Sequence, residues 1–397
     1  MVPAASRYVV SQIADAGAWL LEGQRLEVCG DAESRRNAVE CYDRAMALLS
    51  GADPSTRKAR AIVWMNRGNA SQGMGVEFGF PEAIRCYDAA ITEFEHAFGF
   101  LSGCGGIHSY RELRNDAQAQ IDPIMLNALG AAWMNRGVAL QQKRGPENLE
   151  VAVASHERAI EVFSMLPIDR DSVFRRNLGA AFLNLADALL DLPENAGLRR
   201  AANAARYSIQ LTVDCADTDA TFAELNLKAR RALIVALGGT LCGGDCGPGN
   251  REMLESEIRG AIEGGLSLAG HWRVNSCEAF VHLEVRLFRL GCQFLRIHHA
   301  RDLNAFVREN LKDRRGTLHE EFNAAAAEAI QAALEVMGRT PVQPHDFANS
   351  IVQVDVLRGL RETHQWLARS THVAAFNVLQ GEPGTSETQM SGVPAGC

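Results

Sequence analysis

Trp-Met-Asn-Arg-Gly at residues 64–68 recurs unchanged at residues 133–137, which lie 69 positions further along the chain. The match extends beyond these five residues. Ala-Ile-Arg-Cys-Tyr-Asp-Ala-Ala-Ile at 83–91 aligns, at the same offset, with Ala-Val-Ala-Ser-His-Glu-Arg-Ala-Ile at 152–160. Because two separate segments keep the same spacing in both copies, the sequence predicts a repeated unit built from two segments.

The repeated unit occurs at least four times. Its template is an aromatic residue, a small residue four positions later and an alanine nineteen positions later, so that three of the chain's five tryptophans share one repeat position. The template is met at Trp19, Gly23 and Ala38, and again at Phe182, Ala186 and Ala201. A fifth, less regular unit is predicted with its helices at 223–237 and 253–268.

The residue types within each unit are typical of a pair of antiparallel helices. The aromatic and small residues lie four positions apart, which places them on one face of a helix. Glycine inside a helix costs roughly 1 kcal/mol relative to alanine, so Gly68 and Gly137 require a packing reason. We interpret them as sites where the backbone of a neighbouring helix comes too close for a side chain.

The segment 64–70, Trp-Met-Asn-Arg-Gly-Asn-Ala, and the series Ala83, Tyr87, Ala90 resemble the two helices of a tetratricopeptide repeat. This resemblance covers residues 17–213 and implies a helical solenoid with a concave binding groove. The chain departs from the family's repeat length of about 34 residues, because successive units start 45, 69 and 49 residues apart. Most of the surplus is an insertion at about 96–123.

The predicted fold is all-α: a tetratricopeptide-like α-solenoid of four or five helix pairs, followed by a C-terminal helical module. The array is assigned to residues 6–268, the module to 269–378 and a disordered tail to 379–397. In the second half, apolar periodicity predicts helices at about 272–299, 302–312, 317–337 and 347–375. No strand is expected.

Composition narrows the classes of partner. The 397 residues carry a formal net charge of -8 and contain no basic stripe, which argues against binding to nucleic acid or to anionic membranes. Neither a signal peptide nor a long apolar span is evident, and the ten cysteines are scattered through the chain. These features predict a cytoplasmic protein with reduced, mostly structural thiols.

The resemblance implies that function resides in the groove, where side-chain amides can bond to a peptide backbone and arginines can add charge. The candidate groove residues are Asn66, Arg67, Asn69, Asn135, Arg136 and Asn184. A purely structural role for each asparagine remains the alternative. The sequence therefore predicts an adaptor or regulatory scaffold for a protein or peptide partner, and homo-oligomerisation stays open.

The rival interpretation is a helical metal-dependent enzyme or ligand sensor with its site in the C-terminal half. Glu278 with His282, and the histidines at 298, 299 and 319, supply ligand types, while Cys242 and Cys246 lie in a glycine-rich loop. None of them completes a metal or catalytic motif. We therefore predict no metal, no cofactor and no catalytic residue, and regard an enzyme as the less favoured class.

Overall fold

The computed structural model describes residues 4–75, 79–99, 122–193, 196–243, 247–273, 278–311 and 316–339. Throughout this part of the chain the regular elements are helices, as the sequence predicted. Contacts divide the chain into two compact units, Met1–Phe280 and Val281–Cys397, a division somewhat later than the predicted boundary after 268. Residues 100–121 of the insertion predicted at about 96–123, the helix predicted at 347–375 and the predicted tail lie outside the described residues.

The described residues of the first unit form five helix pairs, in which each helix packs against the next. Its helices are α1 (Ala4–Cys29), α2 (Ala32–Leu48), α3 (Pro54–Gln72), α4 (Gly79–Ala97), α5 (Pro123–Lys143), α6 (Pro146–Phe163), α7 (Ser172–Leu190), α8 (Leu198–Ala216), α9 (Ala220–Cys242) and α10 (Pro248–Arg273). The odd-numbered helices are the first helices of the pairs. The fifth pair, α9 and α10, is longer than the sequence predicted.

Aspartates start the first helices of the later pairs. Asp53, Asp122, Asp171 and Asp219 each accept backbone N–H bonds at the N-terminus of their helix. Such caps satisfy amide groups that have no partner within the helix. In the second to fourth pairs the aspartate lies eleven residues before the repeated aromatic, so the caps fix where each unit begins.

The glycines at the small-residue position pack against rings of the second helix. A Cβ added at Gly68 would lie 2.7 Å from Tyr87 Cε1. In the first pair the Tyr42 ring lies against Gly23 in the same way, and in the third pair the His156 ring lies against Gly137. Our interpretation was therefore wrong about the neighbour. The atoms nearest to the glycine belong to a buried ring of the other helix.

The fourth pair shows the same position filled in a different way. It carries Ala186 where the other pairs have glycine and Ala205 where they have a ring, and both alanines are fully buried. A larger residue on one helix is thus matched by a smaller one on the other. This exchange keeps the two helices in contact, as close packing requires.

In the second and third pairs, the polar end of the inserted ring meets a polar residue on the first helix. The Tyr87 hydroxyl lies 2.9 Å from Gln72 Oε1, and His156 Nε2 lies 2.9 Å from the equivalent Gln141 Oε1. Burial lowers the pKa of His156 to about 4. The imidazole is therefore neutral in the folded protein at neutral pH.

The second unit has its own apolar centre. It contains most of α11 (Glu278–His298) together with α12 (Ala300–Leu311) and α13 (Gly316–Arg339). The Phe288 ring stacks on Phe306 and Phe322, with ring centroids 5.4 and 4.2 Å away. Trp272, which we placed at the start of this helix, instead lies near the end of α10, where its Nε1 donates to the Ala216 carbonyl.

No helix in the described ranges is long and apolar enough to cross a membrane.

The pairing of Gly68 with Tyr87 makes the effect of Gly68→Ala depend on the ring. In the natural chain we expect the added methyl to lower the free energy of unfolding by about 1–2 kcal/mol, because overpacking outweighs the better helix propensity of alanine. In a Tyr87→Ala background the same substitution should raise it by a few tenths to about 1 kcal/mol. Urea unfolding of the four proteins measures both effects, and an equal cost in the two backgrounds would contradict the packing.

His156 makes the free energy of unfolding depend on pH in the acid range. Since its folded pKa is depressed from 6.5 to about 4, its contribution is fully present above pH 6.5 and is lost as the pH falls towards 4. The loss between pH 7.5 and pH 5 is about 2 kcal/mol by linkage. The His156→Tyr variant has the residue found in the second pair, and its free energy of unfolding in urea should change by that much less between the two pH values. An unchanged pH dependence would show that another group is responsible.

Candidate functional site

A polar cleft lies between the first helices of the second and third pairs. It has a volume of about 480 Å³. Its lining comes from α3, the start of α4 and α5: Asn69, Gln72, Gly73, Phe80, Asn135, Val138 and Gln142. These residues carry side-chain amides and apolar groups but no formal charge, so the cleft suits a neutral, hydrogen-bonding ligand.

Helical spacing brings the lining residues to one side of each helix. Asn69 and Gln72 are three positions apart on α3, and Asn135, Val138 and Gln142 follow at intervals of three and four on α5. Residues at such intervals share a helix face. The two faces meet across the cleft because α5 is the first helix of the next pair.

Side-chain amides bridge the cleft in two places. Asn135 Nδ2 donates to Asn69 Oδ1 at 3.0 Å, and Gln72 Nε2 donates to Gln142 Oε1 at 2.7 Å. The Tyr87 hydroxyl also lies 2.8 Å from Asn69 Oδ1. The ring that packs on Gly68 therefore fixes the orientation of both α3 amides from below.

The bridges leave hydrogen-bonding groups available in the cleft. An asparagine or glutamine side chain has two N–H donors and one carbonyl acceptor. Within the described residues, the bonds above engage the Asn69 oxygen and one Asn135 N–H, so the Asn69 Nδ2 donors and the Asn135 Oδ1 acceptor remain. A peptide backbone presents the complementary acceptor and donor.

Asn69 and Asn135 are the two predicted groove residues that line this cleft. Asn66 instead lies buried between pairs, where its Nδ2 donates to the Ile62 carbonyl and its Oδ1 accepts from Gln24 of α1. Asn184 is half-buried on α7 and is not part of the lining. The structure thus brings together one asparagine from each of two neighbouring pairs.

Arg67 and Arg136 tie successive pairs together. Arg67 Nε donates to Asp43 of the preceding pair at 2.7 Å, and its Nη1 contacts Glu82 of its own pair. At the equivalent place, Arg136 Nε donates to Asp88 at 2.6 Å. Each guanidinium also lies over the tryptophan three positions earlier, so these cations are already engaged.

The electrostatic setting of Arg67 keeps it charged. Burial disfavours the cation, but the hydrogen bonds to Asp43 and Glu82 outweigh it and raise the pKa of Arg67. The guanidinium therefore serves as a permanent cation between two carboxylates. It does not line the cleft.

Sequence reasoning missed four lining side chains: Gln72, Phe80, Val138 and Gln142. A signal for Gln72 was present, since Gln72 and Gln141 share one repeat position. Phe80 carried no repeat signal of the kind we used. Val138 and Gln142 could be assigned only by knowing which face of α5 meets α3.

The described residues contain no group of three or more His, Cys, Asp or Glu side chains that could hold a metal ion. Cys242 ends α9 and is exposed, whereas Cys246 and Cys104 lie outside the described residues. His282, His298 and Glu278 lie on α11, and His319 on α13.

Comparisons with known proteins assign no family to this chain. No family model and no curated protein matches the sequence. A solved structure described as a circular tandem repeat protein with novel repeat topology and enhanced subunit contact surfaces aligns with 94% of this chain and 85% of its own. Its sequence identity is 12% and its TM-score 0.31.

The role of Arg67 as a link between pairs can be tested by its removal. We expect Arg67→Met to lower the free energy of unfolding by about 1–2 kcal/mol, since a partly buried, charge-assisted network is lost. Arg44 is the matched control, because it also covers a tryptophan but pairs only with exposed Glu40 at 3.9 Å. Arg44→Met should cost less than about 0.5 kcal/mol in urea unfolding; equal costs would refute the linking role.

Proposed function

We propose that this chain is a partner-binding scaffold, a tetratricopeptide-like array whose cleft between α3 and α5 binds an extended protein or peptide segment. The observation that carries the proposal is the pairing of open donors on Asn69 with an open acceptor on Asn135 in one uncharged cleft. Successive residues of an extended chain offer an N–H and a C=O in alternation. The cleft complements that pattern.

The cleft also offers the apolar contacts that fix the position of a bound segment. Phe80 and Val138 lie among the amides, and binding sites commonly combine apolar walls with a few directional polar groups. Arg67 and Arg136 are held by carboxylates. Affinity would therefore come from hydrogen bonds and apolar contact, with little dependence on salt.

The amides have a structural role as well, since they bridge the pairs across the cleft. A loss of binding after substitution must therefore be separated from a loss of stability. The chain supplies its own control, because Asn184 occupies the repeat position of Asn135 on α7 and lies outside the cleft lining.

The proposal is tested with a displayed library of random, unstructured peptides selected on the immobilised full-length chain. Enriched peptides should bind the natural protein at least 10-fold more tightly than Asn69→Ala/Asn135→Ala, because two hydrogen bonds of about 1 kcal/mol each are removed. Asn184→Ala should bind like the natural protein. Circular dichroism and thermal unfolding must show that all three proteins are folded.

Two results would overturn the proposed site. One is a library that yields no binder above background, and the other is a set of binders that the double variant retains in full. Binding should also change less than about 2-fold between low and high salt, as expected for an uncharged cleft.

A further inference from the structure

The outer face of α1 carries a stripe of exposed residues that are small or aliphatic, apart from one arginine. The stripe consists of Ser11, Ala14, Ala18, Leu21, Arg25 and Val28, all of them exposed. Leu21 is 68% and Val28 87% exposed. The intervals of three and four residues give a straight seam on one side of a helix, the pattern by which two helices pack side by side.

In later pairs, the repeat positions of Leu21 and Val28 contact the pair before them. Asn66, at the position of Leu21, accepts from Gln24 of α1 at 3.2 Å, and Asn135 donates to Asn69. At the position of Val28, Gly73 O accepts from Arg35 of α2 at 2.6 Å.

The same relation extends to the third and fourth pairs. Gln142 and Asp191 occupy the position of Val28 there, and they accept from Gln72 and Gln141 at 2.7 and 3.4 Å. The outer face of α1 thus corresponds to the surface by which the second, third and fourth pairs contact the pair before them. In α1 it presents aliphatic side chains in place of polar ones.

A helix face that stays in water is usually polar. The face of α1 carries the aliphatic side chains of Leu21 and Val28, 68% and 87% exposed, which indicates that it packs on another helix. The same face can also pack on a second copy of itself. A contact about a twofold axis needs a surface that complements itself, and this stripe combines small and larger residues.

We propose that α1 packs antiparallel against the α1 of a second copy of this chain, forming a twofold dimer centred between Trp19 and Leu20. This register places every larger residue of the stripe opposite a small one. The facing pairs are Leu21 with the partner's Ala18, Val28 with the partner's Ser11, and Arg25 with the partner's Ala14.

Charge supports the same register. Arg25 pairs with Glu22 of its own helix and in this register also faces the partner subunit's Asp15, which neighbours Ala14 in the sequence and is exposed in each copy. Two ion pairs related by the twofold axis then flank the apolar contact. A parallel arrangement would instead bring Arg25 against Arg25 of the partner subunit, which is unfavourable.

The dimer leaves the proposed peptide cleft intact, so the two proposals can fail separately. The stripe spans 18 residues, or about 27 Å of helix. A contact of one helix pair is at the small end of specific interfaces, and we expect a dissociation constant of about 1–100 µM.

Sedimentation equilibrium of the full-length chain tests the proposal directly. We expect a reversible increase from the 43.2 kDa monomer to twice that mass. Leu21→Asp and, separately, Ala18→Glu should raise the dissociation constant by at least about 100-fold, because each alters two central contacts of a twofold interface. Both positions are exposed, so circular dichroism should show unchanged helicity.

Met253→Asp is the matched control. Met253 is 59% exposed on α10 and lies outside the stripe, so this variant should dimerise like the natural chain. A natural chain that stays monomeric at the highest concentration would overturn the proposal, as would a dimer that survives both stripe variants.

Disulfide trapping tests the register. In a Cys29→Ser background, Ser11→Cys/Val28→Cys should form a covalent dimer on mild oxidation, because the antiparallel register places the two thiols in facing positions. The Cys29→Ser parent and each single cysteine variant should form much less covalent dimer on a non-reducing gel, which accounts for the exposed Cys242. A non-covalent dimer without this cross-link would refute the antiparallel arrangement.

Discussion

The insertion of one buried ring against one glycine organises each of the first three helix pairs. The ring fixes both the distance between the two helices and their relative rotation, since it fits only where the opposite residue lacks a side chain. Tyr42, Tyr87 and His156 occupy this place, and each is fully buried. Because protein interiors are densely packed, a change on one helix has to be matched on the other, as Ala186 and Ala205 illustrate.

The same contact also determines the geometry of the cleft. The Tyr87 hydroxyl reaches Asn69 and Gln72 from the interior, and these two amides form the α3 side of the cleft. The buried Tyr87 ring and the amides of the cleft are therefore linked directly by hydrogen bonds. Such a connection pre-organises the amides, which lowers the entropy that a ligand must lose on binding.

Much of the fold followed from sequence because the repeat signal depends on local spacing. Helical period and the fixed offset of 64–68 to 133–137 were enough to predict the pairs and their order. The glycine was recognised as a close-packing site, yet its neighbour was misidentified, since spacing within a helix does not tell which atom of the other helix comes near. The aspartate caps were readable and were overlooked.

The cleft was only partly predictable, because its lining depends on the rotation of one pair against the next. Asn66 and Asn69 are neighbours on α3 and similar in chemistry, but one lies buried between pairs and the other opens into the cleft. Single-sequence periodicity places both near the same helix face. Only the contact with α1 and α5 distinguishes them.

The contrast between Asn66 and Leu21 shows how one repeat position can serve different ends. In the second pair, the Asn66 amide at this position forms a hydrogen bond to the preceding pair. On α1 this position is exposed and carries Leu21, so a different surface chemistry is found there. A bond between amides needs particular partners, whereas a seam of alanine, leucine and valine needs only complementary shape. The aliphatic residues on α1 therefore suit an association that is separate from the growth of the array itself.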